Sequence, residues 1–263
     1  MSLRVYISVE FLRTKGETFN NYLLLFPIVL YTKSCMPSET HLHSKLTKQI
    51  LNSPQSESRL WKDTIAYSLI IFTIISGYYY ATNATFSDKI FNRAIADVSI
   101  LLMGVSLILS SVCYFWNFAD KYIIYRKHLG LVGAGYMIFH IVLSIFMTPY
   151  TPFATYYLDD KRIASFFAAL AATIIFIIMS LLSNRFAIQE IGPQRWRKIM
   201  KFSYIGFILV LFHFGKKGMQ YWIPWFTGKT ESIFPSFGLI VFLFGIVVIA
   251  LRISLWFSTM KKA

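Results

Sequence analysis

Acidic residues are scarce in this chain: 12 Asp and Glu stand against 26 Lys and Arg among 263 residues, and charged residues of both signs make up only 14%. That is too little charge to clothe a water-soluble domain, in which about a quarter of residues are charged. Cysteine is scarcer still. Cys35 and Cys113 are the only two, too few and too far apart in sequence for a zinc or iron–sulfur site, and they do not amount to a disulfide framework. A GxGxxG between a strand and a helix is missing, as is any polar stretch long enough for a flavin or nicotinamide module. The sequence therefore supplies no nucleotide-binding electron donor of its own. What it has instead is apolar surface: 56% of residues are hydrophobic, 18% aromatic, and the mean hydropathy is +0.55. This is the composition of an integral membrane protein. The net charge of +14 is not a nucleic-acid footprint, because the Lys and Arg residues lie between long apolar runs, where they set topology.

A hydrocarbon core of about 30 Å takes some 20 apolar helical residues. Six runs of that kind predict an all-α, six-helix membrane bundle: Thr64–Ala84, Ala96–Phe118, His128–Pro149, Ile163–Ser183, Ile199–Gly218 and Phe234–Phe257. The fifth is interrupted near its ends by Lys201 and Lys216, whose amines must snorkel to the interfaces. The connections after the second and fourth runs are basic (Lys121, Arg126, Lys127; Arg185, Arg195, Arg197, Lys198, Lys201). The positive-inside rule makes their side cytoplasmic and puts both termini there. The "YLDDKR" connection (Tyr157–Arg162) is charge-balanced, as an outer loop can be, and Tyr156, Tyr157, Trp222, Trp225 and "GYYYAT" (Gly77–Thr82) fit an outer aromatic belt. Three regions result: a polar, irregular stretch at 1–59, the six-helix domain at 60–258, and a basic tail at 259–263. Within the first, the apolar run in Asn20–Lys33 is broken by Pro27 and too short to span; it reads as interfacial or signal-like, or Met36 is the true start. His41 and His43 read as part of a solvated linker, and no internal repeat is visible.

Two histidines interrupt apolar runs. An imidazole in hydrocarbon must satisfy its nitrogens, by a ligand or by a neighbouring helix. His140 lies 12 residues after His128, and His213 lies 14 after Ile199. At 1.5 Å per residue they sit roughly 18 and 21 Å from the cytoplasmic face, deep enough to share one heme iron in the outer half of the membrane. Gly133 and Gly206 each precede their histidine by seven residues, within about 20° on the helix wheel. A missing side chain there leaves room for a macrocycle or for close helix approach. Lys216 and Lys217 follow His213 and could pair with heme propionates. Arg126, Lys127, Arg195 and Arg197 at the cytoplasmic rim could meet lipid phosphate or a quinone oxygen. Asp97 is placed near the outer start of the second helix, and Arg252 snorkels near the inner end of the sixth.

The segments "YRKHLGLVGAGYMIFHIVLS" (Tyr125–Ser144) and "LSNRFAIQEIGPQRWRKIMKFSYIGFILVLFHF" (Leu182–Phe214) carry an ordered set of marks: Arg126, Lys127, Leu129, Gly130, His140, Trp196–Lys198, Tyr204 and His213. The set resembles the ferric reductase-like transmembrane domain family, and within it the heme-binding membrane subunits of periplasmic methionine sulfoxide reductase systems. The resemblance covers about residues 60 to 258. It implies heme b, a redox subunit rather than a complete enzyme, and a bacterial inner membrane. It further implies an inner-side donor, quinol or a separate flavin reductase, and an outer-side partner protein or metal ion as acceptor. One departure stands out: where the family commonly has another histidine, four residues after that Trp, this chain has Met200. A thioether can ligate iron or simply pack, and His128 is turned about 120° from His140, so one heme is expected rather than two. The competing classes are a six-helix transporter or channel whose histidines bind substrate or protons, and a scaffold whose histidines only bond neighbouring helices.

Overall fold

The computed structural model describes residues 54–83, 87–146, 162–229 and 234–260. The N-terminal apolar segment, Met36, His41, His43, Tyr156, Tyr157 and most of "YLDDKR" lie outside them. The described chain forms α1 (Pro54–Asn83), α2 (Asp88–Phe115), a 3-10 segment (Asn117–Tyr125), α3 (Arg126–Phe146), α4 (Ile163–Leu182), α5 (Arg185–Ile191), α6 (Pro193–Met200), α7 (Phe202–Phe226) and α8 (Phe237–Met260). No strand occurs among the described residues. Six segments are long and apolar enough to cross a membrane: α1, α2, the 3-10 segment with α3, α4, α6 with α7, and α8. The protein is an all-α, multi-pass membrane bundle.

Helix ends follow local chemistry. The Asn184 side chain accepts from Ala187 N at 2.8 Å and caps α5. Gly192, at φ +81°, turns the chain where a Cβ would be strained, and Pro193 opens α6. Trp196 donates from Nε1 to the Leu182 carbonyl at 2.8 Å, satisfying an orphan acceptor at the end of α4 and tying the connection between α4 and α7 down. Several spans run past their expected limits. α2 begins at Asp88, eight residues before Ala96, and takes in Arg93, whose guanidinium finds the Tyr79 and Tyr221 rings inside the bundle. α7 continues to Phe226 through Lys216, Lys217 and Pro224.

α2 is the central helix and packs against α1, α3, α7 and α8, while α4 packs on α7. The main core joins Ile100, Met103 and Leu107 of α2 to Met137, Phe176, Tyr204, Phe207, Leu211, Val241 and Val248. Lipid is as apolar as leucine, so such helices associate through close packing at small residues. A Cβ on Gly133 would lie 2.8 Å from Met103 Cγ and 3.1 Å from the Met103 backbone nitrogen, whereas one on Gly135 would meet nothing within 4 Å. Gly133→Ala is therefore expected to destabilise the bundle by about 1–3 kcal/mol through overpacking. Gly135→Ala, by contrast, should be neutral or stabilising by up to about 1 kcal/mol. Unfolding midpoints in detergent compare the two, and equal effects would contradict this packing.

Candidate heme site

His140 (α3) and His213 (α7) come to the same end of the bundle, within electrostatic reach of each other. Each is held through Nδ1 by the opening turns of a neighbouring helix. The His140 Nδ1 lies 2.8 Å from Asn92 Oδ1 and 3.2 Å from the Asn92 carbonyl. Asn92 Nδ2 donates to Ser144 Oγ at 2.9 Å, and Ser144 Oγ donates to the His140 carbonyl at 2.8 Å. The His213 Nδ1 lies 2.8 Å from the Ser165 carbonyl and 3.1 Å from Ser165 Oγ. A carbonyl oxygen only accepts, so both Nδ1 atoms carry the proton and both Nε2 atoms present a lone pair. That tautomer and that anchoring are what metal-ligating histidines use.

The two anchors are equivalent in a second way. Asn92 and His140 are 48 residues apart, and so are Ser165 and His213. Gly133 is 41 residues after Asn92 and Gly206 is 41 after Ser165; each glycine packs against residues 10 and 11 beyond its anchor, Leu102 and Met103 in one case, Ile175 and Phe176 in the other. The α2–α3 and α4–α7 pairs thus share the same contact spacing.

Of the two readings of Gly133 and Gly206, the packing shows close helix approach, because neighbouring side chains take the space beside both. Met200 closes α6 at the opposite end of the fifth span, and its carbonyl accepts from Ser203 Oγ at 2.7 Å. His128 lies in the first turn of α3, 4% exposed, and packs edge-on against Trp61, with ring centroids 5.0 Å apart. Lys216 is exposed, whereas Lys217 is half-buried and acts electrostatically on His213.

The aromatic cluster around Tyr79 also differs from a simple belt. Tyr80 is exposed, but Tyr79 is 2% and Trp222 6% exposed. Tyr79 donates to Asp97 Oδ2 at 2.5 Å, and Trp222 Nε1 donates to Ser236 Oγ at 2.9 Å. Asp97 is nine residues into α2 and fully buried, not at its start. The Arg93 guanidinium lies over the rings of Tyr79 and Tyr221, at 5.4 and 4.3 Å from their centroids. Sequence reading missed Asn92, Ser165, Arg93 and Ser236, polar residues whose roles appear only when helices pair.

Among the described residues no three or more His, Cys, Asp or Glu gather as a protein-only metal cage. Two imidazoles suffice for a porphyrin, which brings four nitrogens itself and asks the protein for axial ligands alone. The donor set present fits heme. No protein-family model matches the sequence, and no curated protein matches it either. The fold itself defines a six-span membrane protein with a matched pair of inward histidines.

Proposed function

We propose that this protein is a heme b electron-transfer subunit of the ferric reductase-like kind, with His140 and His213 as the axial ligands of one heme. The observation that carries the reading is the matched anchoring of both Nδ1 atoms on carbonyls 48 residues upstream, which leaves both Nε2 lone pairs free to accept an iron. A heme held by these two imidazoles would supply one-electron exchange. The chain's own work is to fix both rings, through Asn92 and Ser144 on one side and Ser165 on the other, so that little rearranges when the charge changes. The surrounding apolar helices exclude water. In this reading both termini face the cytoplasm of a bacterial inner membrane, a quinol or flavin reductase delivers electrons from the inner side, and a periplasmic partner or metal ion receives them.

Lys216 and Lys217 are proposed to pair with the propionates. Replacing both with glutamine is expected to move the midpoint potential to more negative values, because removing cations favours the more positive oxidised state. An unchanged spectrum and potential would remove the lysines from the site. The reading as a whole is tested by the absorption spectrum of the purified chain, oxidised and then reduced with dithionite. A sharp reduced α-band supports it; a preparation that stays colourless after heme supplementation favours the transporter or scaffold class.

A further inference from the structure

The bundle buries one carboxyl group that ligation by His140 and His213 does not use. Asp97 of α2 is fully buried, with the Tyr79 hydroxyl of α1 donating to its Oδ2 at 2.5 Å while its Oδ1 has no hydrogen-bond partner among the described residues. Only half of the carboxyl is satisfied. Arg93 stands four residues earlier on α2, yet its guanidinium is engaged over the rings of Tyr79 and Tyr221, and its Nη2 donates to Ser236 Oγ at 3.5 Å. Among the described residues it forms no ion pair with Asp97. The cation stays beside the carboxyl without closing on it.

The other titratable groups of the helices around this point are turned elsewhere. The Tyr78 hydroxyl of α1 donates to the Pro235 carbonyl at 2.6 Å, and the Tyr136 hydroxyl of α3 donates to Ser68 Oγ at 3.4 Å. From α7 comes Tyr221 against Arg93, and the start of α8 brings only Ser236 and Gly238, neither of them charged. Asp97 is thus balanced between two forms: burial in an apolar bundle and the unpaired Oδ1 disfavour the carboxylate, whereas the Tyr79 donor and the nearby cation favour it. A modest change of local charge can tip it. Asn92, whose carbonyl and side chain hold the His140 ring, precedes Asp97 by five residues, about 7.5 Å along the helix axis. In a medium of low dielectric an electron added at the histidine pair repels a carboxylate at that range and leaves the neutral acid alone.

Resting on the heme reading above, we propose that Asp97 is a redox-linked proton site, which takes up one proton as one electron reaches the histidine pair and releases it when the electron leaves. The electron comes from the external donor and the proton from water at the mouth of the bundle, where Arg93 is half-buried and Tyr221 exposed. Iron goes from ferric to ferrous, the carboxylate becomes the neutral acid, and one O–H bond at Oδ1 is the only bond made. Tyr79 keeps its bond to Oδ2 in both forms, so the site need not rearrange.

The test is a redox titration of the purified, heme-loaded full chain, followed by its reduced α-band at a series of pH values. Between the pH at which the oxidised protein loses the proton and that at which the reduced protein loses it, the midpoint potential should fall as pH rises. The slope can reach about 59 mV per pH unit, the one-electron value of a tenfold change. Asp97→Asn, which keeps an acceptor for Tyr79 and cannot titrate, should flatten that interval while the α-band stays. Arg93→Gln, which removes the cation favouring the carboxylate, should move the interval to higher pH. The reduced-minus-oxidised infrared spectrum of the wild type needs no variant: a carboxylic acid band should appear on reduction and shift in deuterated water. A potential independent of pH, a slope that survives Asp97→Asn, or the absence of that band would overturn the proposal and leave the heme reading standing. A chain that forms no α-band would sink the heme reading first, and this proposal with it.

Discussion

His140→Ala and His213→Ala are each expected to abolish the reduced α-band of the heme-loaded protein. Each removes one of two axial ligands, and among the described residues no third imidazole stands at that end to replace it: His128 is at the opposite end, against Trp61. Asn92→Ala is expected to give a graded effect. It takes away the 2.8 Å contact to His140 Nδ1 and the bond to Ser144, while the Asn92 carbonyl at 3.2 Å stays. Losing an outer partner of a metal-bound imidazole typically costs about 10–100-fold in affinity. Heme titration of the three variants therefore separates ligation from packing. If the two alanine variants kept full heme content while Asn92→Ala lost it, the ligand assignment would be wrong.

The second large effect is expected at Tyr79. Its hydroxyl makes the 2.5 Å bond to Asp97 Oδ2, and Asp97 Oδ1 has no hydrogen-bond partner among the described residues. Tyr79→Phe leaves a fully buried carboxyl group without its one donor. Stranding a buried polar group costs about 1–3 kcal/mol, and more if it is charged; the loss here should be about 3 kcal/mol. The double variant Tyr79→Phe/Asp97→Leu replaces both polar groups with apolar ones and should recover a large part of that loss. Unfolding in mixed micelles measures all three proteins. A double variant no more stable than Tyr79→Phe would show that the pair does not act as a unit.

Much of this fold is legible in the sequence because the bilayer imposes it. Charge-poor runs of the required length mark all six spans, and α4 begins at Ile163 as expected. The ends of α2 and α7 are not legible that way. Charge counting stops a span at Arg93, Lys216 or Lys217, yet a buried tyrosine, a serine hydroxyl or the mouth of the bundle can accommodate each. The histidines are visible as lone imidazoles in apolar runs, since hydrocarbon makes them costly. Their anchors are not. Asn92 and Ser165 are unremarkable near helix starts, and neither resembles the other chemically, because the shared feature is a main-chain carbonyl. A spacing of 48 residues becomes noticeable only once both partners are known. The same holds for Tyr79, which reads as one of three belt tyrosines until α2 is placed beside α1, and for Arg252, whose stacking on Tyr204 depends on how α8 meets α7.

The most direct test is electron paramagnetic resonance of the oxidised protein together with a count of heme per chain. The expected result is one heme b per chain with the low-spin signal of iron bound by two imidazoles, replaced by a high-spin signal or lost in His140→Ala and His213→Ala. Two hemes per chain, a high-spin wild-type signal, or no bound heme after reconstitution would contradict a single iron shared by His140 and His213.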